Sequence, residues 1–149
     1  MIQPQVIQQI QNLHMGTIPY GADIHTVLQN YCDANGISNA WVNLLGALSE
    51  AKLAWYGQET HEYYERVFTG EYEITNATGN ISLKDGKAFG HIHMTLSDTD
   101  FKCWGGHLMP GSTKVFACEF ILIALDSSTP FCRDTKDPET GLNLWCKIN

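Results

Sequence analysis

Only one stretch of this chain carries the stripe of a helix, and nearly everything after it reads as strand and turn. Ile24, Val27, Leu28, Tyr31 and Cys32 fall at i, i+3, i+4, i+7 and i+8, so they share one helical face. Asp23 stands where a first-turn cap belongs, and Gly36 where a helix would stop. A single helix has to bury its stripe against a sheet, which predicts an α+β fold. Residues 40–48 form an apolar run opening with Trp-Val, and residues 51–56 and 63–68 are aromatic-rich and suit a pleated backbone. Residues 71–75 follow, with a break expected at Gly79. Asp85-Gly86 is a strong hairpin signal before a strand over residues 87–97. A turn at Asp98-Thr99-Asp100 leads into residues 101–107. Residues 115–125 are apolar on both faces, which predicts a central, covered strand. Pro130 and Pro138 mark a loop before a last short strand over residues 142–148. No repeat or linker divides the 149 residues, so residues 1–149 read as one domain. Its expected architecture is a mostly antiparallel, barrel-like sheet flanked by one or two helices.

Charge puts one class of function at a disadvantage. Nine Lys and Arg stand against sixteen Asp and Glu, a formal net charge of −7, and no two basic residues are adjacent. A protein that holds nucleic acid through its phosphates needs clustered basic side chains. Residues 1–11 are polar and glutamine-rich, unlike a signal peptide. The most apolar run contains Glu119 and is about half the length of a membrane-spanning helix. A cytoplasmic location and no membrane partner are therefore expected. Five widely spaced cysteines without a Cys-x-x-Cys pair predict reduced thiols. Asn76-Ala77-Thr78 and Asn80-Ile81-Ser82 match the glycosylation pattern, which means nothing without secretion. No Ser-His-Asp arrangement, P-loop or dinucleotide-binding glycine pattern competes for the chemistry.

Three of six histidines lie close together: His91, His93 and His107. Residues i and i+2 of a strand point to one face, about 6.6 Å apart along the chain. If the following hairpin is centred on Thr99, His107 falls opposite His91, and His93 faces Gly105. Directly opposed residues share a face, so the three imidazoles form a tripod with open coordination positions, the form of a catalytic zinc site. A polar outer face is the other reading of His-x-His. His14, His25 and His61 are isolated and are expected at the surface or the core edge.

A cupin also begins with His-x-His, and Asp98 and Gly105 would fill its next two positions. Its second motif is absent here, since Pro110 is followed directly by Gly111. A fuller match runs through Gly21-Ala22-Asp23-Ile24, Asn35-Gly36-Ile37, Leu45-Gly46-Ala47-Leu48 and Glu71-Tyr72-Glu73-Ile74. It continues with Gly79-Asn80-Ile81-Ser82, His91-Ile92-His93-Met94, Gly105-Gly106-His107-Leu108 and the strand of Glu119. In these motifs and their order the chain resembles the plants-and-prokaryotes conserved (PPC) domain family, in its stand-alone prokaryotic form. Thr75-Asn76-Ala77-Thr78 departs from the family's Ser-Leu-like stretch. The resemblance implies an antiparallel sheet flanked by helix, and a homotrimer. It also brings a DNA-binding label that belongs largely to plant members with an AT-hook, and no Arg-Gly-Arg-Pro hook exists here. The fold is similar to that of acetolactate decarboxylase, whose His-x-His and Gly-Gly-His segments hold zinc; by motif only His91, His93 and His107 transfer.

Two functions of different class follow as expectations. In the first, zinc or another divalent transition metal on the three histidines polarises a carbonyl or activates water. A small-molecule ligand binds at the metal, and the chain is a metal-dependent lyase or hydrolase. Glu119 is the candidate proton-moving carboxylate, because a charge within an apolar run needs a partner or a job; an outward-facing or trimer-interface role is the other reading. Lys102 or Arg66 could neutralise an anionic substrate. In the second, the chain is a DNA-associated regulatory homotrimer.

Overall fold

Hydrogen bonding at both ends of the helix follows the expected caps. The computed structural model describes residues 9–145. In it α1 runs Ile24–Ala34, with the Asp23 carboxylate accepting from the Thr26 amide at 2.9 Å and Gly36 at φ 65°. The strands are β1 (Ile10–Ile18), β2 (Ala40–Gly57), β3 (Glu62–Lys84), β4 (Lys87–Ser97), β5 (Cys103–Leu108) and β6 (Lys114–Leu125). All pair antiparallel in one sheet, in the order β1-β6-β2-β3-β4-β5. A further pairing, Ala54 with His107 and Leu53 with Leu108, joins β5 back to β2. Strands β2 to β5 thus curl into a partial ring, while β6 and β1 extend the sheet beyond it.

Alternation along the strands sends one set of side chains inward. Ile92, Met94 and Leu96 of β4 are buried, as are Ile24, Leu28 and Cys32 of α1, and they belong to one core cluster. The helix also serves the backbone. β5 reaches only as far as His93 along β4, and α1 covers the edge beyond it. There the Asp33 carboxylate accepts from the Ala88 amide at 2.8 Å, and His25 Nε2 donates to the Gly90 carbonyl at 3.1 Å. An unpaired strand edge is satisfied by side chains instead of a neighbour.

Several expectations are corrected. Residues 40–56 form one strand, because bulges near Leu44 and Leu48 bend β2 without ending it. Gly79 is no break but lies inside β3, where a Cβ would come within 2.2 Å of the His91 carbonyl oxygen. The residue is small because β4 passes close. β1 escapes sequence reading because most of its side chains are exposed, leaving little buried periodicity to detect. β6 is central in the sheet, as expected, but only one face is covered; Phe116, Ala117 and Glu119 are exposed. Leu142 to Trp145 form no strand, only a bridge between Lys136 and Asn143; residues 146–149 of that expected strand, Cys146 among them, lie outside the described residues. Asp85-Gly86 makes the predicted hairpin turn, with φ of 51° and 75°. Cys32, Cys103 and Cys118 are free thiols, and burial pushes Cys32 up to about 12 and Cys118 to about 11. No described helix is long and apolar enough to cross a membrane.

Candidate metal centre

β4 places Ile92 and Met94 in the core, so His91 and His93 must stand on its other face. β5 adds His107 directly opposite His93, and Gly105 opposite Thr95. The expected register, His107 opposite His91, is therefore two residues off. The cause is the turn. Phe101 adopts φ 62°, and the Asp98 carboxylate accepts from the Asp100 and Lys102 amides at 3.0 and 2.9 Å and from Trp104 Nε1 at 3.2 Å. Hydrogen bonding, first from Lys102, holds the Asp98 carboxyl below the usual carboxylate range, so it is committed to the turn. A two-residue slip preserves the face, where a one-residue slip would have sent His107 into the core.

The three rings converge. Their centroids lie 5.2 Å (His91–His93), 5.1 Å (His91–His107) and 5.5 Å (His93–His107) apart. One nitrogen from each lies within 4.8 Å of the others. Burial pushes His91 down to about 4, helped by the Arg133 guanidinium and His93. Burial, then His91 and His93, pushes His107 down to about 4 as well. Near neutral pH both rings carry free lone pairs, and a set of imidazole donors suits zinc or a similar divalent ion. By donor chemistry and convergence, these residues fit a metal.

His25 is not at the surface but 6% exposed in the core behind β4. Its Nε2–H is spent on Gly90, and its Nδ1 has no hydrogen-bond partner. Burial lowers its pKa from the ordinary 6.5, against the pull of Asp23. Below that value the unfolded chain binds the proton more readily than the folded one. The stability from keeping His25 neutral is thus complete above about pH 6.5 and is lost as the pH falls through the lower folded value. Urea midpoints should therefore fall between about pH 7.5 and pH 5.5, and fall less in His25→Gln. His91 and His107 add to the same window, so the difference between the two proteins is the diagnostic. Equal slopes would refute the assignment.

The wall of the site comes from a segment that sequence reading left as loop. β2 begins at Ala40 opposite Ile81, and past that point Leu83 pairs with Cys132 instead. This seats Arg133, 8% exposed, on the histidine face. Its Nε donates to Ser82 Oγ at 2.8 Å, one Nη to Asn80 Oδ1 at 2.8 Å and the other to the Asn143 carbonyl at 3.1 Å. Its Nη2 also lies 3.4 Å from His91 Nδ1. Tyr56 ties the segment down by donating to the Thr140 carbonyl at 2.8 Å.

Two cavities flank the imidazoles. One of about 370 Å³ is lined by Lys84, Phe89, Arg133 and Lys136 beside His91 and His107. The other, about 740 Å³, brings Trp55, Tyr56, Gly105, Gly106 and Glu139 against all three histidines. Tyr63 and Leu142 border both. A third, of about 640 Å³ near Tyr72, Asp98 and Phe116, contains no imidazole.

The remaining candidates lie elsewhere. Glu119 is exposed on β6, paired with Thr17 and Leu45, and lines none of these cavities. Lys102 pairs with Asp100 at 3.1 Å, and the Arg66 guanidinium lies 4.4 Å from the Trp104 ring centre. Sequence reading missed Lys84, Arg133, Lys136 and Glu139. Only the tertiary path of residues 131–143 brings the last three to the histidines, and no periodicity announces it.

The molecule is thus defined as an α+β protein, a partial ring of strands carrying three outward imidazoles at its rim. The chain belongs to the Plants and Prokaryotes Conserved domain family, whose model matches residues 6–126. It is similar in structure to a metal-containing protein of Archaeoglobus fulgidus, at 32% identity and a TM-score of 0.89, over 97% of this chain and 100% of that one. It is also similar to a plant- and prokaryote-conserved protein of Pyrococcus horikoshii, at 30% identity and 0.87, over 99% of each chain. A candidate DNA-binding protein of Bacteroides thetaiotaomicron aligns at 29% identity and 0.80, over 93% of this chain and 96% of that one. A curated relative, the bifunctional protein GlmU of a Synechococcus strain, is 28% identical over 122 residues; the match covers 81% of this chain and 18% of that protein's length.

Proposed function

We propose that the chain is a metal-dependent lyase or hydrolase in which His91, His93 and His107 hold one divalent ion, with zinc the best fit. The convergence of three imidazole nitrogens within 4.8 Å carries this reading, and the metal-containing relative from Archaeoglobus supports it. When bound, such an ion polarises a carbonyl or lowers the pKa of water. The chain's own residues do the rest. Trp55 and Tyr56 provide apolar wall for the substrate body, and Gly105, on the same face of β5 as His107, leaves room beside the rings. Glu139, in the same wall, takes the proton-moving role expected of Glu119. Elemental analysis of protein purified without chelator or affinity tag tests the reading: near one equivalent of metal per chain is expected. Less than about 0.2 equivalents, with none regained on adding zinc, would sink it.

The expected homotrimer finds support on the outer face of β1, β6 and β2. Leu13, Met15, Trp41 and Leu45 are all exposed there, and large apolar side chains grouped on one face mark an interaction surface. Glu119 belongs to this face, as an interface carboxylate. Sedimentation at low salt should give the mass of three chains; a monomer mass refutes it.

The label of the Bacteroides relative favours a second reading, a DNA-associated regulator. With nine basic residues and a net charge of −7, any such binding should be weak and lost steeply with salt. Gel shifts at two salt concentrations decide, and no shift at the lower one removes the idea.

A further inference from the structure

We propose that the smaller cavity is an anion subsite, in which Lys84, Arg133 and Lys136 receive a carboxylate or phosphate group of the ligand that the histidines bind. The charge distribution carries the inference. The chain has a net charge of −7 and nine basic residues, yet three of the nine line this one cavity and no Asp or Glu does. Like charges around a half-enclosed space repel, and a bound counter-charge relieves them.

Two of the three cations have side-chain partners that hold them at the wall. The Lys84 ammonium lies 5.1 Å from the centre of the Phe89 ring, itself part of the wall. Arg133 is fixed by Ser82, Asn80 and the Asn143 carbonyl, so its charge is preorganised. The backbone of Lys136 is fixed by its bridge to Asn143. The nearby carboxylates are engaged elsewhere. Asp134 accepts from the Asp85 amide at 2.9 Å, and Asp137 accepts from the Glu139 and Thr140 amides at 3.2 and 2.8 Å. Glu139 lines the other cavity, so the histidines separate a cationic side from one with aromatic walls and a carboxylate. The volume of about 370 Å³ falls in the range of small-molecule sites, about 300–1,000 Å³. The ligand is therefore a small organic anion with its charge toward Arg133 and its reacting group at the imidazoles. Arg133, the most buried of the three, lies in the segment that follows the family match at residues 6–126.

The inference rests on the metal-site reading only for the ligand's second contact, and the test separates the two. Inorganic phosphate and acetate are titrated calorimetrically into the zinc-loaded and metal-free protein, as wild type and as the Lys84→Ala/Lys136→Ala variant. Both lysines are exposed, so folding and metal content should be unchanged. Binding of at least one anion should weaken about tenfold or more in the variant and return in Lys84→Arg/Lys136→Arg. Preference between the two anions tells a phosphate from a carboxylate ligand. Equal affinity in wild type and variant, or no binding of either anion at millimolar concentration, overturns the subsite while leaving the metal reading intact. A chain that holds no metal but loses phosphate on removal of the lysines keeps the subsite and overturns the metal reading.

Discussion

His93→Ala is expected to lower metal content from the proposed one equivalent per chain to below about 0.2, while the fold stays as it is. His93 is the exposed member of the three, and its backbone neighbours Ile92 and Met94 keep the core contacts of β4. Truncating it removes no buried packing. It does remove one of three convergent donors. Loss of an outer-shell partner already costs about 10–100-fold in affinity, and loss of a ligand should exceed that. His107→Ala should do the same, because His107 lies opposite His93 on β5. Glu119→Gln is the control. It sits on β6, outside the group, and should retain full metal content. Unchanged metal in His93→Ala would mean that any bound ion sits elsewhere.

Gly46→Ala should produce the largest loss of stability, about 3 kcal/mol or more. Two independent costs coincide there. Gly46 adopts φ 144°, which side-chain-bearing residues avoid, and a Cβ would lie 2.1 Å from the Ala117 carbonyl oxygen and 2.7 Å from Cys118 Cα. Both obstacles are backbone of β6, so no side chain can swing aside. The strands must part in the middle of the sheet. The urea midpoint should drop with its slope retained. Gly105→Ala offers the contrast: its nearest atoms would be 3.4 Å away, ordinary contact, and the change should cost under about 1 kcal/mol. A midpoint for Gly46→Ala equal to that of wild type would mean that β2 and β6 do not approach as described.

These two residues show how unevenly the molecule could be read in advance. The histidines were legible because strand alternation is a local rule: residues two apart share a face whatever the rest of the chain does. The hairpin register was off by two, since a φ of 62° at Phe101 and the carboxylate of Asp98 decide where that turn closes. The site survived the error only because the slip was even. Gly46 belonged to a weak motif, and its role is set by β6, some seventy residues away in sequence. The covering of β6 was misread for a related reason. An apolar run suggested a strand covered on both faces, but its outer face is open in the single chain.

By itself, then, the sequence determined the helix and its caps, the Asp85-Gly86 hairpin, the α+β class and the three candidate metal ligands. All of these depend on neighbours a few residues apart or on alternation within one strand. Tertiary structure alone decided that β2 is one bent strand, that Gly79 and Gly46 mark close crossings, and that Lys84, Arg133 and Lys136 line one cavity beside His91 and His107. These features join residues far apart in the chain, and only the packed sheet sets the distances between them.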